Sequence, residues 1–313
     1  MKTIPLGSSG VQVSALCLGA MMFGTKEDET ISFRLLDQYM DAGGSFIDTA
    51  NIYSHWVKGF RGGESESLLG RWFQQRGNRA RVFLASKVGF DYPGVARGAS
   101  ARQIQEECEK SLRRLGVDTI DLYYIHKDDR ATPPEETLAA LDALVKAGKV
   151  RFIGASNFLA WRLEEARWIS QTHGWSEFCC LQQRHTYLRP RPGTTFDPQA
   201  AINEDLLDYG RSRDITLLAY SALLGGAYTR PEREVGDQYL GPDSDARLTA
   251  LKQVAEQRNA SPNQVILAWM LAGSPRILPL IAASTPEQLD ENIRALDLTL
   301  SAEEMALLDG AGA

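Results

Sequence analysis

Much that would announce a function is missing from this chain of 313 residues. No stretch of about 18 apolar residues occurs, so no membrane-spanning helix is expected. The opening MKTIPLGSSG lacks a basic segment followed by an apolar run, which argues against a secretory leader and for a cytoplasmic setting. The net charge is −6 and lysine and arginine are scattered, with no basic run to follow a phosphate backbone; neither nucleic acid nor a membrane is an expected partner. Cysteine is scarce. Cys17, Cys108, Cys179 and Cys180 stand in apolar stretches without C-x-x-C or paired metal-ligand spacing, so reduced core thiols are expected and no metal. The sequon Asn259-Ala260-Ser261 carries no meaning without secretion. G-x-G-x-x-G, G-x-x-x-x-G-K-[ST], G-x-S-x-G and H-E-x-x-H are all absent, which weighs against a Rossmann enzyme, a P-loop enzyme, an α/β-hydrolase and a zincin.

What is present is a rhythm. Short apolar, β-rich runs at 15–19, 45–48, 82–87, 119–125, 150–154, 178–181, 216–220 and 277–281 alternate with longer helical patterns, behind a hairpin-like segment at 2–13. Several runs are continuously hydrophobic, as strands buried on both faces must be. Ile104, Cys108, Leu112 and Leu115, closed by Gly116, recur at helical spacing. Ser100-x-x-Gln103, Ser261-Pro-x-Gln264, Thr285-Pro-x-Gln288 and Ser301-x-x-Glu304 each predict a helix start with a reciprocal capping partner. No linker, 20–50-residue repeat or low-complexity segment interrupts the pattern. The expectation is an α/β fold, a (β/α)8 TIM barrel with an N-terminal β-hairpin, forming one domain over 1–313. A longer irregular stretch at 223–245 is a candidate lid.

Polar residues interrupt the apolar runs at their carboxyl ends, where barrel enzymes build their sites. They are Asp48, Lys87, His126, Ser156 with Asn157, Gln182 and Ser221. Each alone could simply begin a turn. Together they converge on one face.

The motifs Phe46-Ile-Asp48-Thr-Ala50-x-x-Tyr53, Ser86-Lys87, Asp121-Leu-Tyr-Tyr-Ile-His126 and Gly154-Ala-Ser-Asn157 are similar to those of the aldo-keto reductases, and the resemblance runs over essentially the whole chain. It implies an NAD(P)(H)-dependent oxidoreductase that interconverts a carbonyl and its alcohol, with Asp48, Tyr53, Lys87 and His126 as a catalytic tetrad. The chemistry needs those types. Hydride arriving at a carbonyl carbon leaves charge on oxygen, so a proton donor must stand beside it. Tyr53 fits that role, the Lys87 cation favours the ionised phenol, Asp48 supplies a counter-charge, and His126 can donate to the substrate oxygen.

The resemblance also implies that Ser156, Asn157 and Gln182 hold the nicotinamide carboxamide, that Ser221, Leu223 and Gly225 form a diphosphate loop, and that Ala282, Ser284, Gln288, Glu291 and Asn292 hold the adenosine. Relatives that prefer NADP usually place Lys or Arg near the start of this last segment and often at the position of Gln288; this chain does not. NADP(H) is placed ahead of NAD(H) on family habit alone, and weak discrimination is expected. At His185 the family commonly has a tyrosine that stacks on the nicotinamide; His185 itself, Tyr187 or another aromatic would then cover the ring. Phe23, His55, Trp56, Phe60, Tyr92 and His185 are the expected substrate-pocket residues, suited to a small polyol, a sugar or an aromatic carbonyl. Two rivals remain at this stage, a nicotinamide-binding regulatory protein on the same fold and an unrelated barrel lyase or isomerase. The sequence carries no signal of an oligomeric state.

Overall fold

In the computed structural model, which describes residues 1–312, eight parallel strands close on themselves. They are β3 (Cys17–Gly19), β4 (Phe46–Asp48), β5 (Phe83–Val88), β6 (Ile120–Ile125), β7 (Val150–Ser156), β8 (Phe178–Arg184), β9 (Thr216–Tyr220) and β10 (Ile277–Ile281), with β10 returning to pair with β3. The hairpin ahead of them is β1 (Thr3–Pro5) and β2 (Gln12–Ser14), antiparallel with Ile4 opposite Val13. The fold is thus a (β/α)8 barrel with an N-terminal hairpin. The expected runs differ from the strands mainly at their ends, where β7 and β8 extend further because Ser156 and Gln182 still pair in the ladder. Ala313, the last residue of the expected domain, lies outside the described residues.

Continuous hydrophobicity has the cause expected for parallel strands. All six residues of β5 and all six of β6 are buried, lying between the barrel interior and an outer ring of helices. Each fully buried Leu or Ile contributes roughly 1.5–3 kcal/mol. The ring is built from α1 (Glu29–Asp41), α2 (Glu64–Arg76), α3 (Ala101–Leu115), α4 (Pro134–Lys146), α5 (Ala160–His173), α6 (Glu204–Ser212), α8 (Pro262–Ala272) and α9 (Pro286–Arg294), with α7 (Pro242–Arg258) and α10 (Ala302–Gly310) packed together outside it. Among the described residues no helix is long and apolar enough to cross a membrane.

The hairpin tucks under β8 and β9. Gly7 N–H donates to Thr216 Oγ1 at 2.7 Å, and Gly7 has φ +46°. A β-carbon there would lie 2.0 Å from the Cys179 carbonyl oxygen, so only glycine allows the approach. Ser261 and Ser301 form the two reciprocal capping boxes that the spacing predicts. Ser100 and Thr285 cap only one way, because Gln103 turns to the Ala96 carbonyl and Gln288 accepts from Ser284 N–H instead. All four cysteines are free and buried. The stretch proposed as a lid contains two short 3-10 turns, Leu224–Gly226 and Asp237–Tyr239.

Candidate active site

Parallel pairing sets the site. Asp48 at the end of β4 is in register with Ala85 on β5, and Lys87 lies two residues further along that same strand. Side chains alternate along a strand, so Ala85 and Lys87 face the same way and Lys87 reaches Asp48. Lys87 is fully buried. A buried ammonium persists only when charge and hydrogen bonds replace its water. It contacts the Asp48 carboxylate, donates to the Thr49 carbonyl at 2.9 Å and donates to the Tyr53 hydroxyl at 2.7 Å. Its three protons are thereby spent. The second Asp48 oxygen accepts from Gln182 Nε2 at 2.9 Å. Tyr53 O–H has only a long bond, 3.3 Å, to Asp48.

Burial, and then the Asp48 charge, hold the Tyr53 phenol well above its usual range, so it is protonated despite the ammonium beside it. Burial lowers the Lys87 pKa, and Asp48 opposes that. Burial, reinforced by the Lys87 charge, holds His126 well below its usual value, so the ring is neutral. His126 follows β6 directly, its N–H bound to the Val88 carbonyl at 2.7 Å. Its Nδ1 is buried without a partner, and its ring meets Phe90 and Tyr53 edge-on at centroid distances of 4.7 and 6.0 Å.

His55 and Trp56 stand on the same side, with Trp56 edge-on to both Tyr53 and His55. Trp56 is 47% exposed, so its indole rims an opening. Phe60 is partly buried in the same loop. Tyr92 packs beside Tyr53, but its hydroxyl is bound to Glu107 at 2.6 Å. Two expected pocket residues are not available there. Phe23 is 2% exposed and belongs to the core, while His185 turns outward and stacks on Trp269 of α8 at 5.8 Å. Burial and Arg247 push the His185 imidazole down to about 4. It borders a cavity of about 850 Å³ between the β8–α6 connection and α8, away from Tyr53.

Residues 15–313 match the aldo/keto reductase family. The chain belongs to that family. An uncharacterized oxidoreductase of Bacillus subtilis, YrpG, is 33% identical to it over 326 residues, which cover 99% of this chain and 95% of that one. A norsolorinic acid reductase of Emericella nidulans is 34% identical over 320 residues, covering 95% of this chain and 78% of its own. The crystal structure of a thermostable aldo-keto reductase in complex with the inhibitor epalrestat matches with a TM-score of 0.78 and 29% identity, over 99% of each chain.

In this aldo/keto reductase the remaining sequence-derived site residues lie along the same barrel end. Asn157 and Ser221 follow β7 and β9 with φ of +58° and +57°, conformations that cost energy for a non-glycine residue and cluster at functional sites. Asn157 is wholly engaged within the protein. Its Nδ2 donates to the His126 carbonyl and to Ser156 Oγ, and its Oδ1 accepts from Ala200 N–H and from the Tyr220 hydroxyl. The Ser156 proton and Gln182 Oε1 carry no hydrogen bond among the described residues, which leaves one donor and one acceptor. Leu223 and Gly225 lie in the turn after β9, and Gly225 needs its φ of +67°. Ser221 receives a long bond, 3.5 Å, from Arg184. At β10 and α9, Ala282 and Ser284 are exposed, Ser284 N–H donates to Gln288 Oε1, and Ser284 Oγ donates to Glu27 Oε1 at 2.6 Å. Glu291 accepts from Ser261, and Asn292 donates to the Ala282 carbonyl at 3.2 Å.

Sequence reasoning missed the supports behind these groups. Ser86, beside Lys87, donates to Glu66, which Arg114 neutralises, and Asn51 donates to Glu107 at 2.8 Å. Glu66, Glu107 and Arg114 read in the sequence as ordinary helix-surface charges, and only the packing of α2 on α3 brings them inside. Tyr220 was legible, since it closes β9 immediately before Ser221.

Proposed function

We propose that this chain reduces small carbonyl compounds, or oxidises the matching alcohols, with a nicotinamide dinucleotide and with Tyr53 as the proton donor. The observation that carries the reading is the buried Asp48–Lys87–Tyr53 chain, in which Lys87 donates to a phenol that keeps its own proton. The residues fit the cofactor. The free Ser156 donor and Gln182 acceptor complement the carbonyl and amine of a carboxamide, and the turn at Leu223 and Gly225 suits a diphosphate approached by backbone N–H groups. Ala282, Ser284, Gln288, Glu291 and Asn292 then form the adenosine end.

A nicotinamide held by these residues would supply or take up the hydride at the carbonyl carbon. Tyr53 delivers its proton to the substrate oxygen as negative charge develops there. The nascent phenolate is stabilised by the Lys87 ammonium 2.7 Å away, an interaction stronger in the transition state than before it. Asp48 keeps that ammonium charged inside the barrel. Neutral His126 orients the carbonyl oxygen by hydrogen bonding, and Asn157 locks the His126 backbone in place. Trp56, His55 and Phe90 present aromatic edges at the opening. Together with norsolorinic acid reductase and an aryl-alcohol dehydrogenase of Pestalotiopsis microspora among the relatives, they favour aromatic aldehydes and ketones over sugars.

Steady-state turnover of benzaldehyde derivatives, aryl ketones and aldoses with NADH and with NADPH tests this reading. Catalytic reduction of the aryl carbonyls supports it. Tight dinucleotide binding with no turnover across the panel would leave a regulatory protein on the same fold.

A further inference from the structure

At the adenosine end a buried carboxylate reaches the segment where NADP-preferring relatives usually carry a cation. Glu27 lies between β3 and α1, one residue before the Asp28 cap of α1, and is 9% exposed. The backbone holds it firmly. Gly24 N–H and the Ser32 hydroxyl both donate to its carbonyl oxygen, at 2.8 and 3.0 Å. Its side chain crosses to the start of α9, where Oε1 accepts from Ser284 Oγ at 2.6 Å. Oε2 is buried and has no hydrogen-bond partner among the described residues. A buried acceptor without a partner is costly, and such groups point to a missing ligand or a functional role.

Three donors at the same helix start are already committed. Ser284 N–H is taken by Gln288 Oε1, Gln288 N–H by Thr285 Oγ1, and the Ser284 hydroxyl by Glu27 itself. The first turn of α9 carries Glu287, and α1 opens with Asp28 and Glu29. The nearby cations, Lys26 and Arg34, are exposed to water, where an ion pair contributes little. Beside those donors stands a buried carboxylate with one unpartnered oxygen. A ribose 2′-hydroxyl is a donor and satisfies it, whereas a 2′-phosphate brings only acceptors and up to two negative charges.

Resting on the reading of this face as a nicotinamide-dinucleotide site, we propose that Glu27 sets the choice of cofactor: Oε2 accepts the adenosine ribose 2′-hydroxyl of NAD(H), and its charge repels the 2′-phosphate of NADP(H). This reverses the order that family habit suggests. Glu27 is separated from Ser284 by 257 positions, so no local motif announces the pair.

Dissociation constants for NADH and NADPH, measured by nicotinamide fluorescence on wild type, Glu27→Gln and Glu27→Ala, test the proposal, with thermal melts to confirm folding. Wild type is expected to bind NADH about tenfold or more tighter than NADPH. Glu27→Gln should tighten NADPH by about tenfold at low salt, bringing the two cofactors close to parity, and the wild-type penalty against NADPH should shrink as salt rises. Glu27→Ala should weaken NADH by about three- to tenfold through the lost acceptor. NADPH bound as tightly as NADH by wild type, or an unchanged ratio in Glu27→Gln, would overturn the role of Glu27. Binding of neither dinucleotide by wild type would instead overturn the cofactor reading on which it rests.

Discussion

The two ends of the proposed site are built differently. At the hydride-transfer end, Asp48, Lys87 and His126 sit on or directly after neighbouring strands and Tyr53 follows five residues after Asp48. Register brings the first three together, the loop after β4 adds Tyr53, and every proton of Lys87 is accounted for. At the adenosine end, Gln288 accepts from Ser284 N–H, and Glu27 arrives from the opposite end of the chain to take the Ser284 hydroxyl with one oxygen left unpaired. Chemistry that must be reproduced in every turnover is fixed by the ladder, while selectivity is set by loops that can change one residue at a time.

If that contrast is right, Lys87→Met gives the largest effect. It leaves Asp48 buried without its cation and should cost about 3–5 kcal/mol of stability as well as nearly all activity. The double variant Asp48→Asn with Lys87→Met should recover much of the stability, read by denaturant unfolding, and none of the turnover. Activity restored along with stability would make the pair structural.

His126→Gln comes next. It keeps a donor but changes its placement, and kcat/KM should fall by about 10²–10⁴ with dinucleotide affinity retained. The same variant sharpens the electrostatic reading. The His126 imidazole titrates in the unfolded chain near pH 6.5 and far lower in the fold, so unfolding takes up a proton between those values. Stability should therefore be fully present above about pH 6.5 and decline as pH falls below it, by up to about 1.4 kcal/mol per unit from this group. His126→Gln should flatten that slope in pH-dependent unfolding; an unchanged slope would mean the ring is not held neutral.

The smallest effect belongs to the cofactor contacts. Ser156→Ala removes the one free donor beside Gln182 and should weaken both dinucleotides alike, by about five- to twentyfold, without altering their ratio. A change in the ratio would place Ser156 at the adenosine end and break the division drawn above.

The barrel and the gathering of Asp48, Lys87 and His126 at one end of it were legible in the sequence because both depend on local signals, whereas Tyr53 came from the family resemblance. Apolar runs at regular spacing give the strands, and a polar residue closing such a run, as at Asp48 or His126, marks the face where sites form. His185 misled for the same reason. It lies just beyond β8, where the ladder no longer sets side-chain direction, and its ring stacks on Trp269 while Gln182, within the strand, reaches Asp48. Phe23 looked like a pocket aromatic and is core, since exposure is decided by packing rather than type. Glu27 and Glu66, near helix starts, and Glu107, in the middle of α3, were invisible because a glutamate at such positions reads as a solvated charge. Only tertiary packing buries them.

Tyr53 is the proposed proton donor. Its most direct test is single-turnover reduction of an aryl aldehyde by Tyr53→Phe, with dinucleotide affinity measured on the same preparation. Affinity within about twofold of wild type and a rate reduced by about a thousandfold or more are expected, since only the hydroxyl is lost. A variant that binds the dinucleotide normally and still reduces the aldehyde at a rate within tenfold of wild type would contradict the account.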